Sequence, residues 1–300
     1  MISSCTDAHS IKQRSELAML LALRNSVYLF LIFILLIIAQ AIGQPTFSAR
    51  NCDASKNYTT NSTYQANLNR LLSTLPSNIY TADHTGFYNS TYGQNSDKVY
   101  ALALCRGDVK PEACRSCLNY STNSILKSCP NQKQATEWYA ECMLRYSNRS
   151  IFGVVETMPR YWVHNINNVT SNVTEFKQVL MPLLVDLKNK AAAGDSLLKH
   201  ATGNQTAPNF QTIYAQLQCT PDLSRSQCTS CLDVAMGDIP LCCDGKQSAV
   251  VISPSCNLRF ELYLFYEPGS PIAADTPPPL TSPPPPPPTS INNTTTTQGI

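Results

Sequence analysis

The chain has few histidines and few charged residues, and neither sign of charge dominates. Its 300 residues include 4 histidines, and 22 Lys and Arg stand against 20 Asp and Glu, for a formal net charge of +2. The basic residues are scattered and form no stripe, whereas nucleic-acid binding needs a clustered basic surface. The charge pattern therefore argues against a nucleic-acid partner.

The sequence also lacks the motifs of common catalytic sites. It has no glycine-rich phosphate loop and none of the glycine-loop, Val-Ala-x-Lys or His-Arg-Asp motifs of a kinase. His84, His164 and His200 stand in polar segments without a matching serine, cysteine or carboxylate motif, so we expect each to be a solvated surface residue. An enzyme is therefore only a fallback hypothesis, testable by an assay for disulfide exchange, and we expect no cofactor.

Two Cys-x-x-Cys pairs, Cys114 with Cys117 and Cys228 with Cys231, could in principle bind zinc or exchange thiols. No histidine lies at ligand spacing from either pair, and the secretory leader described next implies an oxidising compartment. We therefore predict structural disulfides and no metal site.

A hydrophobic segment near the N-terminus predicts a signal peptide over residues 1–43. Val27–Ala39 is apolar throughout and is shorter than a typical membrane span. Ala39-Gln40-Ala41 supplies the small-x-small pattern that signal peptidase cleaves. If translation starts at Met19, residues 1–18 are a gene-model extension. We expect secretion, with a retained signal anchor as the alternative.

Sequons for N-glycosylation recur along the chain, and a proline-rich tail follows residue 268. If the leader directs secretion, the sequons mark solvent-facing positions. The candidates are Asn57, Asn61, Asn89, Asn119, Asn148, Asn168, Asn172 and Asn204, with Asn292 and Asn293 in the tail.

Residues 269–300 form a Pro/Thr-rich segment that favours an extended polyproline II rod, so we predict a disordered tail.

The cysteines that follow the leader divide into two groups of six. A shift of 114 positions superposes five cysteines of the first group on five of the second without a gap. The superposed pairs are Cys105 and Cys219, Cys114 and Cys228, Cys117 and Cys231, Cys129 and Cys243, and Cys142 and Cys256. This coincidence indicates an internal duplication, and we predict two domains, at residues 44–155 and 160–268.

The residue patterns of each copy predict helices packed on an antiparallel sheet, an α+β fold. Apolar residues at three-and-four spacing predict a first helix around Leu68–Leu75 and around Phe176–Leu184, and the two align only with about six residues inserted in the second copy. The strand-like runs Val99–Cys105 and Ile213–Cys219 follow. Next we expect a second helix, beginning at Ser226 in the second copy, and then closing strands.

These residues resemble the plant DUF26, or ginkbilobin-2-homologous, domain. The spacing C-x8-C-x2-C occurs twice, and the second occurrence is followed by CC-x-GK and PSCNLRFELY. Tandem pairs are similar to the cysteine-rich repeat secretory proteins, the plasmodesmata-located proteins and the ectodomains of cysteine-rich receptor-like kinases. The resemblance covers about residues 50–267. It implies, for each copy, two helices on a five-stranded antiparallel sheet stapled by disulfides.

The resemblance also implies a disulfide pairing, which spacing alone leaves open among many connectivities. The implied pairs are Cys52–Cys129, Cys105–Cys114, Cys117–Cys142, Cys219–Cys228 and Cys231–Cys256. The second copy departs from the pattern, because no cysteine between residues 143 and 218 can take the part of Cys52. Cys242 and Cys243 stay unassigned, since they could form a vicinal disulfide, pair with another chain or remain reduced.

Ginkbilobin implies a mannose site for the family, made of an Asn after the first cysteine, an Arg seven residues after the fourth and a Glu five after the last. The first copy has Asp53, Thr136 and Ser147 at these positions, and the second has Val250 and Glu261 with no cysteine to place the Asn. Only Glu261 matches. Because the missing residues supply most of the hydrogen-bond donors, we predict no mannose binding by that mechanism. Recognition would use another surface, such as the exposed sheet or the cleft between the copies.

Aromatic residues offer one further binding hypothesis. Trp138, Tyr139, Tyr161 and Trp162 could stack on sugar rings, although strand packing is the commoner role of such residues. We favour a non-catalytic extracellular recognition module of plant defence, stress signalling or cell-cell communication. Its partner would be an extracellular ligand, a wall glycan or a partner ectodomain. The alternatives are a directly antimicrobial carbohydrate-binding protein, or a truncated receptor-kinase ectodomain lacking its membrane span and kinase, which would place the chain at the plasma membrane surface.

Overall fold

The computed structural model describes residues 19, 21–34, 44–81, 86–268 and 299. The chain divides into two units, Met1–Ser270 and Pro271–Ile300, and both sheets lie in the first unit. Residues 21–34 form helix α1, which exposes its large apolar side chains. In the part of the chain described, no helix combines the length and the hydrophobicity needed to cross a bilayer. The predicted cleavage site, His84 and the proline-rich tail apart from residue 299 lie outside the described residues.

We name residues 44–155 domain 1. Its strands are β1 (Phe47–Cys52), β2 (Phe87–Tyr92), β3 (Val99–Cys105), β4 (Ala135–Tyr139) and β5 (Cys142–Ser147), and its helices are α2 (Thr63–Asn78) and α3 (Pro111–Ser128). The strands form one antiparallel sheet in the order β1-β4-β5-β3-β2.

We name residues 160–268 domain 2, and it repeats this arrangement. Its strands are β6 (Tyr161–His164), β7 (Lys199–Thr206), β8 (Thr212–Cys219), β9 (Ala249–Ile252) and β10 (Cys256–Glu261), and its helices are α4 (Val173–Ala193), α5 (Arg225–Gly237) and the single turn α6 (Ile239–Cys242). The sheet order is β6-β9-β10-β8-β7, again antiparallel. The predicted fold, two helices on a five-stranded antiparallel sheet in each copy, is confirmed, and α6 is an addition to it.

Local sequence determines where the helices begin. The Ser62 hydroxyl accepts a hydrogen bond from the Gln65 main-chain N–H at the start of α2. Ser224 and Gln227 form a reciprocal capping box ahead of α5, so that helix begins at Arg225 and not at Ser226 as predicted. Helix α3 begins with Pro111, which lacks a main-chain N–H, but the N–H at the first position of a helix has no partner within the helix.

Helices α2 and α4 align with two inserted residues, not with about six. The cysteines repeat after 114 residues, whereas the buried positions of these helices repeat after 112. Those positions are Tyr64, Leu68, Leu71, Leu72 and Leu75 in α2, and Phe176, Leu180, Leu183, Leu184 and Leu187 in α4. The predicted alignment was wrong by one helical turn, because a shift of four residues preserves the three-and-four spacing of a helix face.

Each domain encloses its own core between its helices and its sheet. The structure contains each of the five implied disulfides, with Cα–Cα distances of 5.4–6.1 Å. A sixth disulfide joins the neighbours Cys242 and Cys243, whose Cα atoms are 3.8 Å apart. Of the three states open for this pair, the structure shows the vicinal bond.

Candidate functional site

The two domains are joined through the faces of their sheets that turn away from the helices. A third apolar cluster forms this joint, and its members that lie on strands alternate with the residues of the two domain cores. They are Ala49, Phe87, Leu102, Leu104, Trp138, Met143, Ile151 and Ile252. The strands of both domains therefore carry an apolar residue on each side at these places, and domain 1 and domain 2 bury them against each other.

Hydrogen bonds cross the same joint. The Trp138 indole N–H donates to the Ser253 carbonyl at 3.2 Å, and the Tyr161 hydroxyl donates to the Arg50 carbonyl at 3.1 Å. The rings of Trp138 and Tyr161 pack edge to face with centroids 5.6 Å apart. Trp138 is 3% exposed, so its ring has no free face for a sugar.

The other two aromatic candidates have different environments. Tyr139 is buried, and its hydroxyl donates to the Glu137 carboxylate at 2.9 Å. Trp162 is 49% exposed, and its indole N–H donates to Asp238 at 2.8 Å. Of the four aromatic residues, Trp162 is the one with a large exposed fraction.

An ionic cluster closes the joint at the end of β3. The Arg106 guanidinium contacts both Asp108 oxygens, at 2.5 and 2.8 Å, and also donates to the Phe265 carbonyl of domain 2 at 3.3 Å. The Glu267 main-chain N–H donates to Asp108 at 3.2 Å. Burial alone would raise the pKa of Asp108, but the hydrogen bond and charge of Arg106 outweigh it and hold that pKa below its ordinary value.

His200 is buried in this cluster, so the prediction that it is a solvated surface residue was wrong. It lies on β7 with its Nε2 3.9 Å from Asp108, and a Cβ on Gly107 would come within 2.5 Å of its ring. Burial lowers the pKa of His200 to about 4, although the charge of Asp108 opposes that shift. The β7 sequence gives no apolar signal, and the burial comes from the facing domain. His164, by contrast, is exposed as expected.

The cluster is not arranged as a catalytic dyad. The distance from His200 to Asp108 is too long for a hydrogen bond. Both Asp108 oxygens are already engaged by Arg106, and one of them also by the Glu267 N–H. Elsewhere in the described residues, no group of three or more His, Cys, Asp or Glu side chains could hold a metal ion.

A small cleft opens between the domains beside this cluster, and we call it the interdomain cleft. Its walls include Arg106, Trp138 and Glu141 from domain 1, and Gln216, Asn257 and Arg259 from domain 2. It has a free volume of about 70 Å³. A cavity of about 150 Å³ binds one benzene ring, so the cleft, with about half that volume, admits one polar group of a larger ligand and cannot enclose a whole sugar ring.

The polar groups of the interdomain cleft have defined partners. Arg259 contacts Glu261 at 2.9 Å, donates to the Tyr263 hydroxyl at 3.1 Å and lies 4.2 Å from the centroid of the Phe265 ring. The Gln216 amide donates to the Asn257 oxygen at 3.0 Å. Gln216, Asn257 and Arg259 are thus held in fixed positions in the wall of the cleft by contacts within domain 2.

The residues at the family's mannose positions are engaged within the chain. In domain 1, Thr136 and Ser147 are buried, and Asp53 accepts the Ser55 main-chain N–H at 2.9 Å. In domain 2, Glu261 is buried and paired with Arg259, and Val250 lines the interdomain cleft.

The strand register identifies an asparagine that the cysteine pattern could not. Cys52 pairs with Ala135 in domain 1, and His164 pairs with the corresponding Ala249 in domain 2. His164 therefore takes the position of Cys52, and Asn165 follows it, where the family has its Asn. No cysteine marks this place in the sequence. Domain 2 thus has the family's residue at two of the three mannose positions, Asn165 and Glu261, and has Val250 at the position of the Arg.

The eight sequons of the two domains lie at accessible places. Asn89 and Asn148 are half-buried, and the other six candidates are exposed. Asn172 also caps α4 by accepting the Thr174 main-chain N–H at 2.8 Å. The surface is compatible with glycans at these positions.

A family model described as salt stress response/antifungal matches the chain twice, over residues 51–149 and 163–263. These two matches lie within domain 1 and domain 2.

The similar plant proteins include a repeat secretory protein, an antimicrobial protein and receptor-like kinases. Cysteine-rich repeat secretory protein 38 of Arabidopsis thaliana is 37% identical over 71% of this chain and 82% of its own length. An antimicrobial ginkbilobin-2-like protein of Castanea crenata is 38% identical over 72% of this chain and 87% of its own length. Cysteine-rich receptor-like protein kinase 25 of Arabidopsis thaliana is 42% identical over 81% of this chain. The chain spans about a third of the length of the curated kinases it matches, 36% in this case.

Solved structures show the same tandem architecture. The tandem DUF26 ectodomain of the Arabidopsis thaliana cysteine-rich receptor-like protein PDLP8 matches with a TM-score of 0.61 and 25% identity, over 72% of this chain and 98% of that one. The corresponding ectodomain of PDLP5 has the same fold, with a TM-score of 0.57 and 24% identity over the same shares of the two chains. With both domains matched by the family model, the chain belongs to the salt stress response/antifungal family, the plant proteins built from DUF26, or ginkbilobin-2-homologous, domains.

Proposed function

We propose that this chain is a secreted, non-catalytic recognition module of plant defence or stress signalling, and that the interdomain cleft is its binding site. The observation that carries the proposal is the joint. Residues of both copies form the cleft walls, and the joint around the cleft is apolar, hydrogen-bonded and closed by the Arg106–Asp108 ion pair. A site assembled from two domains gives both of them a part in binding. The partner would be an extracellular ligand, a wall glycan or a partner ectodomain, and no cofactor is required.

Secretion is tested first. Expressed in plant cells with a C-terminal tag, the protein should appear in apoplastic fluid, and glycosidase treatment should lower its mass. Unglycosylated protein retained in the cytosol would contradict the proposal.

Binding is tested with neutral and acidic wall oligosaccharides, titrated into the secreted chain by calorimetry. Asn257→Ala, which removes an amide from the cleft and the partner of Gln216, should weaken a bound oligosaccharide at least tenfold. Gln205→Ala is the matched control, because Gln205 is exposed on β7 and does not line the cleft. Equal weakening by both variants would place the site elsewhere, and turnover in a disulfide-exchange assay would restore the enzyme hypothesis.

Two other functions keep specific support. Similarity to the receptor kinases favours the ectodomain of a longer receptor, and reading the genomic sequence downstream of Ile300 for a membrane span and a kinase tests it. Similarity to the antimicrobial protein of Castanea crenata favours direct antifungal action, which growth inhibition of fungi by the purified protein tests.

A further inference from the structure

Domain 2 contains an apolar pocket that is separate from the interdomain cleft. It lies between α4, α6 and β10, and its free volume is about 120 Å³. Its walls are formed mainly by Phe176, Leu180, Met181, Ile239, Pro240 and Phe260. Lys177 and Asp244 also line it, and their side chains, both partly exposed, form an ion pair at 2.7 Å. We call this cavity the domain 2 pocket.

Two of its wall residues are phenylalanines where domain 1 has tyrosines. Phe260 corresponds to Tyr146, since Phe260 pairs with Ala249 and Ala215 as Tyr146 pairs with Ala135 and Ala101. Phe176 corresponds to Tyr64, the first buried position of each helix face. In domain 1 both hydroxyls are used: Tyr146 donates to the Gln132 carbonyl at 3.0 Å and Tyr64 to the Lys133 carbonyl at 2.7 Å.

At a third position, domain 1 has a tyrosine, Tyr58, where domain 2 has the smaller Val169. The Tyr58 main-chain N–H donates to the Asn131 carbonyl, and that of Val169 donates to the corresponding Gly245 carbonyl. The two residues are therefore equivalent. In domain 1 the Tyr58 and Tyr64 rings pack 5.5 Å apart, whereas domain 2 has a valine and a phenylalanine at these places. Domain 2 thus lacks two phenolic hydroxyls on the pocket walls and, beside Phe176, the whole Tyr58 ring that packs on Tyr64 in domain 1.

The size and the walls of the pocket define what it can hold. A cavity of about 150 Å³ lined by leucine, isoleucine and phenylalanine stays dry and binds benzene, so 120 Å³ is close to the volume of one ring. The Phe176 and Phe260 rings, with centroids 6.4 Å apart, and the Met181 thioether favour an aromatic guest over an alkyl one. Lys177 and Asp244 could hydrogen-bond a hydroxyl on that guest.

We propose that the domain 2 pocket binds a small single-ring aromatic molecule of the phenol type, whose ring takes the space that tyrosine side chains fill in domain 1. The occupant is a diffusible small molecule, and this site operates whether or not the interdomain cleft binds a glycan.

The test uses the full secreted chain and phenol as the probe, with binding followed by ligand-observed NMR. Saturable binding at millimolar phenol is expected, with cyclohexanol, a ring of similar size without aromatic faces, binding at least threefold more weakly. Phe260→Tyr and, separately, Phe176→Tyr should each weaken phenol binding at least tenfold, because each adds a polar hydroxyl to an apolar wall residue of the pocket. Tyrosine is accepted at the equivalent positions of domain 1, so two independent variants protect the test against one that fails to fold.

Phe210→Tyr is the matched control, since Phe210 is 100% exposed and the same atom is added. It should leave phenol binding unchanged. The proposal is overturned if the folded chain shows no saturable phenol binding, if binding survives in both pocket variants, or if cyclohexanol binds as well as phenol. Its failure would not affect the interdomain cleft, whose test uses oligosaccharides and Asn257.

Discussion

Domain 1 and domain 2 share one fold but hold their first strands in different ways. In domain 1, Cys52 at the end of β1 is bonded to Cys129 after α3, across a sequence separation of 77. In domain 2 the corresponding strand β6 has no cysteine. Its Trp162 and the preceding Arg160 both contact Asp238, at the end of α5, and Tyr161 reaches into domain 1. The second copy of a duplicated domain can thus replace a covalent link by polar contacts and by contacts with its neighbour.

The largest expected effect comes from removing Cys52–Cys129, the disulfide that domain 1 has and domain 2 lacks. By loop-closure entropy, a bridge spanning about 77 residues stabilises by about 4 kcal/mol, whereas a bond between adjacent residues restricts almost no loop. The double variant Cys52→Ala with Cys129→Ala should therefore lower the free energy of unfolding by about 4 kcal/mol, as measured by urea titration.

The matched control is Cys242→Ala with Cys243→Ala, for which we expect a loss under about 1 kcal/mol. Equal losses in the two double variants would show that loop length does not decide the contribution of these bonds, and that the vicinal disulfide has a structural role which the comparison misses.

The second-largest expected effect is a loss of stability on acidification, which depends on His200 of domain 2. Its pKa falls from 6.5 to about 4 in the folded protein, so the unfolded chain takes up the proton first as the pH decreases. Stability is lost from about pH 6.5 downward, by about 3 kcal/mol between pH 7 and pH 4. The stabilisation from Asp108, whose pKa is lowered, is lost only below its ordinary value of 3.8.

The measurement is the urea midpoint as a function of pH in His200→Gln and in His164→Gln. His164 is exposed, so its variant should keep the full loss between pH 7 and pH 4. His200→Gln should remove most of it. Parallel pH profiles for the two variants would mean that His200 is not buried in its neutral form.

The comparison also shows how much the sequence can predict. Strand β8 and the helices carry apolar residues at the period of their own geometry, β3 is a short continuous apolar run, and the repeated cysteines locate both copies. Strands β2, FYNSTY, and β7, KHATGNQT, are edge strands with polar sequences, so no alternation marks them. The cleft residues Arg259 and Gln216 lie on a sheet face that would be solvent-exposed in a single domain.

Burial that depends on the neighbouring domain explains the failures at the joint. His200 reads as a surface residue because its own strand is polar, and the residues that cover it, Arg106 to Asp108, belong to the other copy. Trp138 packs as expected for a strand residue, but its partner Ser253 lies 115 positions later in the chain. Neither contact leaves a local pattern, whereas the cysteine repeat does.

The smallest expected difference concerns the tyrosine that domain 1 keeps and domain 2 has lost. The Tyr146 hydroxyl is buried and donates to the Gln132 carbonyl at 3.0 Å, and burial raises the pKa of Tyr146, so the group stays a neutral donor. Tyr146→Phe removes that hydrogen bond and should lower the free energy of unfolding by about 1 kcal/mol, the net value of one buried bond. Tyr92→Phe, at a position 40% exposed, should change it by no more than a few tenths. Urea titration of both variants decides the matter: a loss near zero for Tyr146→Phe would mean that domain 1 tolerates the phenylalanine of domain 2 without cost, and the exchange between the copies would then be neutral for stability.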